Sequence, residues 1–263
     1  MNLLHEPLSR QRTIALGVVG VVGSAAVAEL ILRSGLVGGT GLPMPSTVLS
    51  GASRLFADSE FWSAIGFTLV EWLIALVMAT VAGVVIGGLM GSSRAAFLAF
   101  EWPVEAFRVL PSIALGPLLI LVLGAGMLPL SVTVAIACVW PILLNTMYGV
   151  RSTDSTAVQT ARTFGANDLE ILWHIKIPSA LPFAFTGLRV AASIGLIVAV
   201  SSELLIGNGS GIGGYILIKS ANATSLDVVY AATLVAGVVG VLANLAFALL
   251  DNRVLGWKKG LAQ

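Results

Sequence analysis

The sequence predicts an all-α membrane protein of about six transmembrane helices, with both termini cytoplasmic and a two-helix cytoplasmic loop between the fourth and fifth spans. Three observations carry this. Hydrophobic residues make up 57% of the 263 and charged residues only 10%, with a mean hydropathy of +0.98. That is more apolar surface than one soluble core could hide. The apolar residues gather into runs of about 20, the length a helix needs to cross roughly 30 Å of hydrocarbon. The cations between the runs are denser on alternate sides, as orientation in a bilayer demands.

The opening segment, residues 1–12, carries Arg10 and Arg12, and the first run follows from Thr13 to Leu32, interrupted only by Glu29. The two arginines, the apolar Ile14 to Val22 and the small residues Ala26 and Ala28 also fit a cleaved signal peptide. Cleavage would leave five spans and put one terminus on the wrong side of the cation count, so an uncleaved span is expected. The second run, Phe61 to Met90, holds a lone Glu71. The third, Ala96 to Leu123, is weaker: Glu101, Glu105 and Arg108 crowd its first half, and Pro103, Pro111 and Pro117 each remove a backbone donor. A helical bundle can satisfy the carbonyls so freed. Met127 to Val150 and Val228 to Leu250 contain no charge, and Phe183 to Ile206 contains Arg189 and Glu203. A single transmembrane domain therefore covers 13–250, with a tail at 251–263.

With the N-terminus inside, the cytoplasmic segments hold Arg10, Arg12, Arg94, Arg151, Arg162, Lys176, Arg253, Lys258 and Lys259, against Arg33, Arg54 and Lys219 outside. Nine against three decides the orientation.

The inner loop runs from Arg151 to Pro182. Asp154 and Ser155 are good helix caps, Ala157, Val158, Ala161 and Phe164 follow at helical spacing, and Gly165 supplies a C-terminal turn residue. Asn167 or Asp168 then caps a second helix, LEILWHIK, which Pro178 and Pro182 are expected to stop before span five.

Several function classes are excluded. A net charge of +1 cannot neutralise a phosphate backbone, so nucleic acid is no partner. Cys138 is alone and closes no intrachain disulfide. His5 and His174 lie in separate segments without an acidic cluster, so no metal site is expected. There is no G-x-x-x-x-G-K-[ST], hence no phosphate-binding loop for a nucleotide, and no hydrolase triad. Gly209, Gly211 and Gly214 form a G-x-G-x-x-G, but no strand or βαβ unit surrounds it. It reads as an outer gate, a re-entrant turn or a plain connection.

The loop spacing carries a resemblance. Gln159-Thr160-Ala161, three residues, Gly165, nine residues, Ile175, one residue and Ile177-Pro178 resembles the EAA loop of ATP-binding-cassette (ABC) importer permeases, EAA, three, G, nine, I, one, LP. It departs at Gln159 for Glu, Thr160 for Ala and Ile177 for Leu, and the first change loses a charge. LPMPSTV (Leu42 to Val48), VLPSIALGPLLILVLGAG (Val109 to Gly126), GLRVAASIGLIVAVSSELL (Gly187 to Leu205) and NRVLGW (Asn252 to Trp257) are similar to the nitrate, sulfonate and taurine permease subfamily. The resemblance implies a non-catalytic translocation subunit in the cell inner membrane, paired as a homodimer, served by two cytoplasmic ATPase subunits and an extracytoplasmic solute-binding protein. ATP and magnesium would bind in the ATPase, with no cofactor on this chain. The solute would be a small anion such as an aliphatic sulfonate, taurine or nitrate. The ATPase-coupling residues it implies are Gln159, Thr160, Ala161, Phe164, Gly165, Ala166, Asn167, Asp168, Leu169 and Glu170.

Charges set deep in apolar sequence need water or a partner, since an unpaired one at the bilayer centre costs at least about 2.5–3.5 kcal/mol. Glu71, Arg189 and Glu203 are such charges and, with Pro111, are candidates for the translocation path. Arg189 lies seven residues past Pro182, roughly 10 Å into the membrane, where Glu101 or Glu105 could pair with it. Glu203 either lines the path or pairs with Lys219. Two further classes compete. An ion-coupled secondary transporter would use Glu71 or Glu203, but the halves show no convincing internal repeat. An intramembrane enzyme would need a nucleophile or metal cluster, and none is visible.

Overall fold

In a computed structural model of the chain, residues 10–36, 41–221 and 226–254 are described. His5, Lys258, Lys259 and the segment closing at Trp257 lie outside them, wholly or in part. Among the described residues every regular element is helical. Among the described residues five helices are long and apolar enough to span a bilayer, or six where the bent pair Arg94–Phe107 and Ser112–Leu123 counts as one span. The chain divides into two units, Met1–Ser59 with Lys219–Leu234, and Glu60–Ile218 with Val235–Gln263.

In the first unit, α1 (Arg10–Arg33) is followed by α2 (Pro45–Ala57). Pro45 sits at the start of α2, where its fixed φ suits a helix and its missing donor is not needed. Glu29, the lone acid of the first span, accepts hydrogen bonds from the Ser46 backbone N–H at 3.0 Å and hydroxyl at 2.8 Å and pairs with Arg33 at 2.8 Å. Arg54 pairs with Asp227, and Lys219 with Asp58 at 3.6 Å.

The second unit is built on α3 (Ser59–Ser92), α6 (Met127–Arg151) and α9 (Ile177–Ile206). Trp72, Ala75 and Ala79 of α3, Val134, Cys138 and Ile142 of α6, and Ala191, Ala192 and Ala199 of α9 form one buried core. Lipid offers no hydrophobic drive between helices, so close backbone approach over small residues must supply the packing. Gly195 shows how close: a Cβ there would fall 2.8 Å from Cys138 Sγ and 3.1 Å from the Trp72 ring. Trp72 Nε1–H donates to the Ala192 carbonyl at 3.0 Å and meets Phe247 edge-on at 5.9 Å.

Two sequence expectations change. The third span is not one helix: α4 (Arg94–Phe107) and the segment from Ser112, a 3₁₀ turn leading into α5 (Gly116–Leu123), meet at 85°. Proline disfavours helical geometry at the preceding residue, and here the chain breaks before Pro111, while Pro117 fits the first turn of α5. Pro178 and Pro182, conversely, stop nothing. Helix runs from α8 (Asp168–Ile171) through Leu172–Lys176 into α9. Leu172–Lys176 is a π-type turn closed by the Ile177 N–H on the Leu172 carbonyl. That bulge opens the helix just ahead of Pro178, relieving the clash a proline ring would have with the preceding turn.

Candidate functional site

The loop between α6 and α9 is closed by its own backbone chemistry. α7 (Ser155–Thr163) starts at Asp154, whose carboxylate accepts from the Thr156 N–H at 2.8 Å. It ends with the Ala166 N–H on the Ala161 carbonyl and the Gly165 N–H on the Arg162 carbonyl, both at 3.0 Å. This paired closure needs a left-handed residue at the corner, and Gly165 has φ 84°. Asn167 then caps α8 reciprocally: its side chain accepts from the Glu170 N–H at 2.9 Å, and Glu170 accepts from the Asn167 N–H at 2.8 Å. Arg162 pairs with Asp168 at 2.9 Å across the corner.

This corner gathers all ten residues from Gln159 to Glu170 named above. Its surface is unusual for a polar loop, because Phe164 is 86%, Leu169 64% and Trp173 61% exposed. Large apolar side chains held outward on a rigid turn are what a partner surface requires. Gln159 and Thr160 are exposed beside them, and Ala161 and Ala166 are half-buried. At the base of the loop, the Arg151 guanidinium stacks 3.8 Å over the Phe97 ring.

The path candidates separate into two groups. Glu71 and Glu203 are fully buried. Glu203 accepts from the Thr68 hydroxyl at 2.6 Å and from the Gly213 N–H at 2.9 Å, at the end of the unit opposite the loop. Arg189 and Pro111 are exposed. Arg189 Nε donates to Asn244 Oδ1 at 3.4 Å rather than to Glu101 or Glu105, and Glu105 pairs with Arg108 at 2.7 Å instead. Four-residue spacing puts Arg189, Ser193, Ile197 and Ser201 on one stripe of α9. The last three line a cavity of about 480 Å³ with Gly237, Gly240 and Asn244 of α11 (Leu226–Val254). Sequence reasoning missed Thr68 and Asn244. Both carried a signal: a polar side chain inside an apolar run, Thr68 one helical turn before Glu71.

Residues 79–256 match the family model described as the binding-protein-dependent transport system inner membrane component. The chain belongs to that family. This permease is 28% identical over 258 residues to the taurine transport system permease protein TauC of Escherichia coli strain K12, covering 95% of this chain and 92% of that one. It is 27% identical to the putative aliphatic sulfonates transport permease protein SsuC of Bacillus subtilis strain 168, over 89% and 84% of the two chains. With the nitrate import permease protein NrtB of Synechocystis sp. it shares 26% identity, over 97% and 92%. In fold it matches the MetNI methionine ABC transporter in inward-facing conformations, with TM-score 0.61 and 18% identity over 73% of this permease and 94% of that chain. A second match is the crystal structure of an amino acid ABC transporter with histidines, at TM-score 0.58 and 17% identity over 81% and 99%. The permease is thus a multi-pass inner-membrane subunit of an ABC importer, of a non-catalytic kind. The secondary-transporter alternative is not favoured by these relatives.

Proposed function

We propose that the permease carries a small oxyanion across the inner membrane, an aliphatic sulfonate foremost with taurine and nitrate as the neighbouring choices, driven by ATP hydrolysed in a partner. The observation that carries the coupling is the rigid Gln159–Glu170 corner with Phe164, Leu169 and Trp173 turned outward. In this reading the corner seats in a cytoplasmic ATPase, which binds ATP and magnesium, and closure of two ATPase subunits moves α9 through the continuous helix from Asp168 to Ile206. A rigid rod is the simplest transmitter between a docking knob and a membrane path. Two copies of the chain enclose the path, and an extracytoplasmic binding protein delivers the solute. The sulfonate, taurine and nitrate named for the relatives are all small oxyanion-bearing solutes. Arg189, one turn before Ser193 on α9 and bonded to Asn244, adds a cation to the hydroxyl donors Ser193 and Ser201 of the cavity that Asn244 also lines, the groups that such solutes need. Pro111, at the break between α4 and α5, belongs to the moving parts of that path.

Uptake in vesicles tests this. With binding protein present, accumulation of labelled sulfonate is expected to require ATP and the partner ATPase, and to persist when an uncoupler collapses the proton gradient at clamped ATP. Uptake that stops with the uncoupler at constant ATP, or that proceeds without the ATPase, would overturn the reading.

A further inference from the structure

The buried ionisable side chains of the second unit do not balance. Among the described residues, Glu71 and Glu203 are both fully buried acids, and no lysine, arginine or histidine is buried with them. Glu71 belongs to α3 and Glu203 to α9. Thr68, one turn before Glu71 on α3, touches Glu203 at 2.6 Å. Two ionised carboxylates enclosed this closely, with no cation, are mutually destabilising, and in an apolar setting one of them takes a proton.

Their partners differ. Glu203 has a donor for each oxygen: the Thr68 hydroxyl on Oε1 and the Gly213 N–H on Oε2. It also sits at the N-terminus of α10 (Gly211–Ala221), where helix geometry favours negative charge. The Ile212 N–H of the same turn goes to the Thr68 hydroxyl at 2.9 Å. Gly211, at φ 75°, lies so close that a Cβ would collide with the Glu203 carboxylate. Neither oxygen of Glu71 has a hydrogen-bond partner of normal geometry. The other titratable side chains buried on the surrounding helices are Cys138, which donates to the Ala191 carbonyl at 3.3 Å, and Tyr215, whose ring lies 5.3 Å from Phe61. Neither supplies positive charge.

We propose that Glu71 and Glu203 form a buried acidic pair that binds one proton, carried by Glu71. Glu203 is the carboxylate that fastens the first turn of α10 to α3, and Glu71 is the neutral acid beside it. A metal ion is the poorer occupant, because both oxygens of Glu203 are already committed to donors it would have to displace, and the described residues include no cluster of three metal-ligating side chains. The site rests on the packing of this chain alone and stands whichever solute the importer carries.

Infrared difference spectroscopy on the intact permease in lipid, with its ATPase, reads the proton directly. At neutral pH the wild type is expected to show a protonated-carboxyl C=O stretch that shifts in D₂O. The band should vanish in Glu71→Gln and persist at a moved frequency in Glu71→Asp. Thermal unfolding gives the second readout: Glu71→Gln, replacing a neutral acid by a neutral amide, should stay within about 2 °C of wild type. Glu203→Gln, which places an amide donor against a buried donor, should fall by about 4–8 °C. A wild type without the band, a band kept in Glu71→Gln, or Glu71→Gln destabilised as much as Glu203→Gln would overturn the proposal. So would stabilisation of the wild type by sodium or calcium that Glu71→Gln abolishes.

Discussion

At the residue scale, the corner at Gly165 separates two requirements that a glycine usually merges. Its φ of 84° is a backbone demand, whereas a Cβ at the same place would meet nothing within 4 Å. Inside the chain, then, a substitution is strained only through φ, by about 1–2 kcal/mol for an ordinary L-residue and less for asparagine, which tolerates the left-handed region. Gly165→Val adds β-branching to that strain and bulk to the surface proposed to meet the ATPase. It is expected to leave the spans inserted but to abolish stimulation of ATP hydrolysis by loaded binding protein, with uptake lost. Gly165→Asn should retain most of both. Wild-type uptake in the valine variant at equal expression would remove the corner from the coupling mechanism.

At the element scale, α8 is a single turn held between a cap and a π-type bulge, so its order depends on Asn167. Asn167→Ala removes the acceptor for the Glu170 N–H and is expected to loosen the turn by about 1 kcal/mol. Hydrogen exchange across residues 168–176 should then quicken roughly five-fold. Glu170→Gln keeps an acceptor for the reciprocal bond and should change little; equal exchange in the alanine variant and wild type would mean the cap does not hold the turn. These caps were legible in the sequence, because Asp154, Gly165 and Asn167 act within a few residues of themselves. Prolines were legible only in part. Pro111 follows a segment with nothing to carry the helix through, and the chain breaks. Pro178 follows directly on the bulge at Leu172–Lys176 and the helix continues, as it does through Pro182 inside α9. The partners of Glu203, Thr68 and Gly213, stand 135 and 10 residues away in sequence, and those of Arg189 lie 55 residues on. Such pairings follow from helix packing, which a hydropathy pattern does not encode.

At the scale of the whole molecule, orientation is a question of charge and length together. The helix from Asp168 to Ile206 has 39 residues, roughly 58 Å at 1.5 Å per residue, about twice the hydrocarbon thickness. Its apolar part is the α9 end, so the Asp168 end must project beyond the bilayer, together with Arg151, Arg162 and Lys176. The cations assigned to the other side, Arg33, Arg54 and Lys219, each pair with a carboxylate. Pairing does not separate the two sides, since Arg162 likewise holds Asp168, and the orientation rests on the nine-to-three count itself. A reporter fused after Gln263 is therefore expected to be active only in the cytoplasm, and one inserted at Ser50 only outside. A sandwich fusion after Gly165 should behave as the C-terminal one does, because an even number of spans, α9 and α11, separates the two positions. The reverse pattern at Ser50 and Gln263 would turn the Gln159–Glu170 corner away from any cytoplasmic ATPase, and the coupling role proposed for it would fall with the orientation.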